Sequence, residues 1–136
     1  MISSSYIFKS VRHKLVSALL SNDTEVRPAF SGKAKKRQIV IDSPNIELTS
    51  PTYNSKFDGE QIVNLVISVY GSVPEDKDEL GDFTKMVLSE DNIDYLSLIA
   101  ITDIDNTEIA NNSKYHSKSI TFTYLVESGD INEGSS

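Results

Sequence analysis

Apolar side chains at Phe8, Val11, Leu15, Ala18 and Leu19 recur at the three-and-four spacing of a single helix face. Ser3 to Ser5 stand ahead of them as N-cap candidates, so the spacing predicts an amphipathic helix over roughly residues 5 to 21. Lys9, Arg12 and Lys14 fall mostly off the apolar stripe. Ser21, Asn22 and Asp23 end the helix, and Pro28 blocks its simple continuation. The pattern then changes period. Gln38 to Asp42 read as a strand, Pro44 breaks it, and a second short strand covers Asn45 to Thr49. The segment SPTYNSKFDG reads as a polar loop.

The clearest strand is EQIVNLVISVYGS. Val63, Leu65, Ile67 and Val69 share one face, while Asn64, Val66, Ser68 and Tyr70 share the other, which is half polar and expected to be partly covered. Ser72 and Glu75 match a capping box. The acids Glu75, Asp76, Asp78, Glu79 and Asp82 suit the positive end of the helix that follows. Leu80, Phe83, Met86 and Val87 form its expected buried stripe, Gly81 weakens it, and it ends near Asp91. Two strands close the domain, one over Leu96 to Thr102 and one over SITFTYLVE, in which Ile120, Phe122, Tyr124 and Val126 alternate with Thr121, Thr123 and Leu125. Helix, two short strands, long strand, helix and a closing hairpin make an α+β domain over residues 1–127, mainly antiparallel, with a disordered acidic Gly/Ser-rich tail at 128–136.

Composition adds little to this, but charge adds more. The 136 residues suit one domain, and the chain has no cysteine, so no disulfide framework or thiolate metal site is available. The basic residues near the start interrupt any signal-peptide core, and the apolar runs are too short to cross a bilayer. The net charge of −7 is unevenly spread. Residues 1 to 37 hold eight basic and two acidic side chains, a net +6, and the remainder holds five basic and eighteen acidic, a net −13. Such a chain can present opposite patches that meet head to tail in a ring.

Four constellations invite chemistry. In DIDNTEIANNSKYHS, Asp103 and Asp105 begin like a calcium loop. However, Glu108 occupies the position that needs glycine and Lys114 the one that needs a bidentate glutamate. The stretch reads instead as a long, mobile hairpin loop that contacts a partner through Asp103, Asp105, Asn106, Glu108 and Lys114. KAKKR, with Lys33, Lys35, Lys36 and Arg37, offers a dense positive field for phosphate or for a neighbour's acids, but no aromatic residue is interleaved with it. Glu75, Asp76 and Lys77 with Asp58 have the residue types of a metal-dependent nuclease. They fall at a capped helix start rather than on a strand that would aim them together. His13 and His116 lack ligand spacing, and no serine has a base beside it. No catalytic residue, metal or cofactor is expected.

The element order resembles the tail terminator, or tail completion, proteins of long-tailed bacteriophages. It does so through IFKSVRHKLVSALL as the opening helix, EQIVNLVISVYGS running into DELGDFTKMVLSE, and LSLIAITDIDNTEIANNSKYHSKSITFTYLVE as the closing hairpin. The likeness covers about residues 4 to 127 and rests on element order rather than on an invariant motif. It implies a structural virion protein, made in the host cytoplasm, that forms a ring, usually a hexamer, at the tail–neck junction. There it would meet the tail tube protein, the head completion or connector proteins and the passing genomic DNA, with no membrane involved. Lys33 to Arg37 would face a neighbour or the DNA channel. The competing reading is a monomeric nucleic-acid-binding or nuclease-like domain that uses the same basic cluster.

Overall fold

The computed structural model describes residues 3–20, 23–31, 37–42, 44–48, 61–90, 93–110 and 113–126. The elements run α1 (Ser4–Ala18), β1 (Thr24–Arg27), β2 (Arg37–Ile41), β3 (Asn45–Leu48), β4 (Gln61–Gly71), α2 (Pro74–Glu90), β5 (Leu96–Ala110) and β6 (Ser113–Val126). The fold is α+β, with one sheet in the order β1-β2-β4-β6-β5. β3 pairs with β4 beyond β2, and both helices lie on the same face of the sheet. All strand pairings are antiparallel except β1 with β2.

Local chemistry explains the helix ends. Ser3 caps α1, its Oγ accepting the Tyr6 N–H at 3.1 Å. Pro74 opens α2, where its missing N–H costs nothing, so the helix starts one residue later than a Ser72 cap would put it. The core joins Ile7, Val11 and Leu15 of α1 to Leu80, Val87 and Leu88 of α2, over Val63, Leu65, Ile67 and Val69 of β4 and Ile120, Phe122, Tyr124 and Val126 of β6. Tyr124 brings a hydroxyl into this apolar layer, and it finds no hydrogen-bond partner among the described residues.

Several expectations need correction. The opening helix stops at Ala18, and Ile7, absent from the expected stripe, is fully buried. Met86 is half exposed, and Thr84 takes its inward place by donating its hydroxyl to the Leu80 carbonyl at 2.8 Å. β1 was not foreseen. The largest correction concerns residues 103 to 117. They form no long loop: β5 continues to Ala110 and β6 starts at Ser113, paired residue by residue from Leu96↔Val126 to Ala110↔Ser113, with one irregularity between Leu98 and Ala100. Ladder hydrogen bonds run the length of this largely polar stretch, in which Tyr115 and Ser117 are buried. The last pairs extend beyond β4, which ends opposite His116.

The expected tail at 128–136, the expected loop at 50–59 and the cluster residues Lys33, Lys35 and Lys36 lie outside the described residues, as do the side chains of Asn106, Glu108 and Lys114.

The central part of the sheet face away from the helices carries no charged residue. It presents Gln38 and Val40 of β2, Asn64, Val66, Ser68 and Tyr70 of β4, Ser119, Thr121 and Thr123 of β6, and Thr102 and Ile104 of β5. Short side-chain links cross it, Ser68 to Ser119 and Thr123 to Asn64, both at 3.2 Å. Phe30 packs on its margin, with ring centroids 4.5 Å from Tyr70 and 4.9 Å from Tyr115. The buried Gln38 holds that segment from beneath, donating to the Ser31 carbonyl at 2.6 Å and accepting the Ser31 N–H at 3.1 Å.

Candidate functional site

The sheet register places Asp103 and Asp105 two apart on β5, on the side that faces α2. Lysines meet them there. Lys85 donates to Asp103 at 2.6 Å, and Lys77 reaches Asp105 at 2.9 Å. Lys118 on β6 completes the group, 3.3 Å from Asp78 and 3.8 Å from Asp105. Its stem passes under Gly81, where a Cβ would lie 3.0 Å from Lys118 Cδ, so a glycine at that point of α2 leaves room for the lysine. The aliphatic stems of Lys77 and Lys118 are largely covered while their ammonium groups stay at the surface. Hydrogen bonds from Lys85 and Lys77 hold the Asp103 and Asp105 carboxyls below their ordinary range, and the same bonds raise both lysines. These pairs are exposed and individually weak, about 0–1 kcal/mol each. Together they fasten α2 to the edge strand. The acids that open DIDNTE therefore hold lysines of their own chain. Among the described residues no group of three His, Asp or Glu side chains is placed to share a metal ion.

Arg37, at the start of β2, is the second node. Its Nη1 donates to Asp76, in a close pair, and to Glu79 at 3.3 Å, while Nε donates to Thr24 Oγ1 at 3.2 Å and lies 3.6 Å from Asp23. Burial works against the charge, and the three acids more than offset it, so the guanidinium is held above its ordinary value. Arg37 thus joins β1, β2 and the first turn of α2 within the chain, although it was expected to face a neighbour or DNA. We expect Arg37→Ala to cost about 1–3 kcal/mol in urea unfolding, because the largely covered Asp76 is left without its cation. Arg37→Lys should restore only part of the loss, since a point charge cannot serve divergent acceptors. A change in stability too small to shift the unfolding midpoint would show that the node is dispensable.

The nuclease-like residues are drawn apart. Asp76 is committed to Arg37 and Lys77 to Asp105, while Asp58 lies outside the described residues. His13 is an exposed residue of α1, and His116 stands on β6 opposite Gly71. The lysines at 77, 85 and 118 were not foreseen as partners of the β5 acids. Their signal was the two-residue spacing of Asp103 and Asp105, which in a strand puts both on one side.

Three surfaces remain open to partners. α1 carries Lys9, Arg12, His13 and Lys14 and no acid. α2 carries six acids against two lysines, both of which are engaged by the hairpin. The third surface is the central, uncharged part of the sheet face away from the helices. No helix among the described residues is long and apolar enough to cross a membrane.

No protein-family model matches the chain, and no curated protein matches it in sequence. Among solved structures, a chain in the virion of a native gene transfer agent particle is similar over 87% of this chain and 92% of its own length, with a TM-score of 0.51 and 9% sequence identity. At that identity the likeness is one of fold.

Proposed function

We propose that this chain is a structural subunit of a phage-like virion, of the tail-terminator type, that forms a ring at the head-proximal end of the tail. The observation that carries the reading is the near end-to-end fold likeness to a chain of a gene transfer agent virion. The charge layout supports it. Titratable groups with shifted ionisation are spent on fastening α2 to β1, β2 and β5, while unlike charges stand outward on the two helices. Subunits that bear unlike patches associate heterologously and stop growing only when the contact closes. In this reading the ring has six members, as the resemblance implies, does no chemistry, and meets the tail tube on one side and the head connector on the other.

Sedimentation velocity over a wide concentration range, with negative-stain images of the heaviest species, tests it. The expected result is a discrete oligomer with a central opening. A chain that stays monomeric at every concentration, with or without purified tail tubes, would remove the ring.

A further inference from the structure

The two helices display outward stripes of the same form and opposite charge. On α1, Lys9 and Arg12 are exposed and make no ion pair among the described residues, with exposed Tyr6 on one side of them and Val16 on the other. On α2, Glu79 and Asp82 are exposed, with Met86 one turn on. The spacing from Lys9 through Arg12 to Val16 is three and then four residues, and so is the spacing from Glu79 through Asp82 to Met86. On a helix that spacing lines all three side chains along one face. Each stripe therefore offers two like charges and an apolar anchor, with opposite sign on the two helices.

We propose that the outer face of α1 docks on the outer face of α2 of a second copy of this chain, with Lys9 and Arg12 against Glu79 and Asp82 and with Met86 against an apolar anchor of α1. This deepens the ring reading and rests on it. Arg37 already engages Glu79 weakly within the subunit, but its main partner is the less exposed Asp76, so Glu79 keeps acceptor capacity toward a neighbour. Charge complementarity selects the second copy as occupant. α1 against α1 would set cations together and α2 against α2 would set acids together, so only the unlike pairing avoids repulsion. One helix-on-helix contact covers less than the roughly 800 Å² per partner of a standard stable interface. Copies joined this way hold firmly only when each makes the contact twice, once through α1 and once through α2, as members of a closed ring do.

The test uses the full chain in three forms. Lys9→Glu with Arg12→Glu reverses one stripe, Glu79→Lys with Asp82→Lys reverses the other, and the four substitutions together restore complementarity with the signs exchanged. Each reversal alone should weaken assembly by about 10-fold or more in apparent dissociation constant, because two attractive pairs become repulsive at every contact. The fourfold exchange should recover most of that loss, an outcome a general charge effect cannot produce. Circular dichroism melts establish that all forms are folded. Raising the salt should weaken the wild-type assembly and blunt the effect of each reversal.

If the wild type assembles and neither reversal affects it, the helix contact is overturned while the ring stands, and the sheet face away from the helices becomes the surface to probe. If the wild type forms only a dimer that both reversals abolish, the contact stands and the ring falls. If the fourfold exchange fails to restore assembly in a folded chain, the pairing of these two stripes is overturned.

Discussion

Phe122→Ala is expected to destabilise the subunit by about 3–5 kcal/mol, the range for an aromatic ring removed from a packed core. The side chain is fully buried on β6, the strand between β4 and β5, and its register neighbours are Leu65 on one side and Ile101 on the other. Paired strands flank the site and α2 covers it, so little around it can move inward to fill the space. A domain of this size has only about 5–15 kcal/mol to lose, so the variant should unfold at markedly lower urea and accumulate poorly as soluble protein. Phe122→Leu, which keeps most of the volume, should lose far less. Equal losses in the two variants would show that ring shape, rather than the filling of space, is what the site requires.

The second large effect is expected at Gly71, where β4 gives way to α2. A Cβ built there would fall 2.0 Å from Asp76 Cβ and 2.8 Å from its Cγ. No rotation of the aspartate relieves a clash with its own Cβ, so the first turn of α2 would have to lift from the strand. Overpacking of this kind costs typically about 1–3 kcal/mol and sometimes more. Lifting that turn would also draw Asp76 away from Arg37, so Gly71→Ala and Arg37→Ala should be less than additive when combined. Gly81 provides the contrast. Its added Cβ would press closely only on the flexible stem of Lys118, with Ile120 Cδ1 at an ordinary 3.7 Å, and alanine improves helix propensity by up to about 1 kcal/mol, so Gly81→Ala should leave stability unchanged or raised. Thermal melts of the two variants side by side decide the matter. Similar behaviour would mean that strand–helix closeness does not control the Gly71 position.

Legibility in the sequence followed burial. Where one side of an element is apolar and the other polar, the period revealed it. β4 and the second half of β6 therefore stand where alternation puts them, and α1 lies close to its expected span. Where pairing rather than burial holds a strand, no period was available. TEVR is four residues long and ends against Pro28, and only its parallel partner β2 makes it a strand. Asp103 to Ala110 is polar on both sides, and its extension comes from the β6 ladder and from lysines on α2 that no local pattern reveals. The ion pairs of Arg37 were hidden for the same reason. Arg37 looked like the end of an exposed cationic run, yet it starts a strand whose geometry turns it toward Asp76. Leu80 and Val87 of the expected stripe are buried, but Met86, which fitted it by spacing, is half exposed, and Thr84 and Leu88 complete the inward face.

The strand order has a consequence for how the chain is made. β6 lies between β4 and β5, yet it leaves the ribosome after every other strand described here. Until it arrives, β4 can pair only with β2 and β3, one of its edges stays open, and β5 has no partner at all. A nascent chain halted before Ser113 would therefore expose unpaired apolar strand surface of the kind that aggregates. When β6 emerges it can zip against β5 as a local hairpin before the longer-range pairing with β4 closes the sheet, since nearby segments meet at the lowest entropic cost. Folding is thus a late event that waits for a single strand, and any contact that needs the complete sheet must wait for it as well.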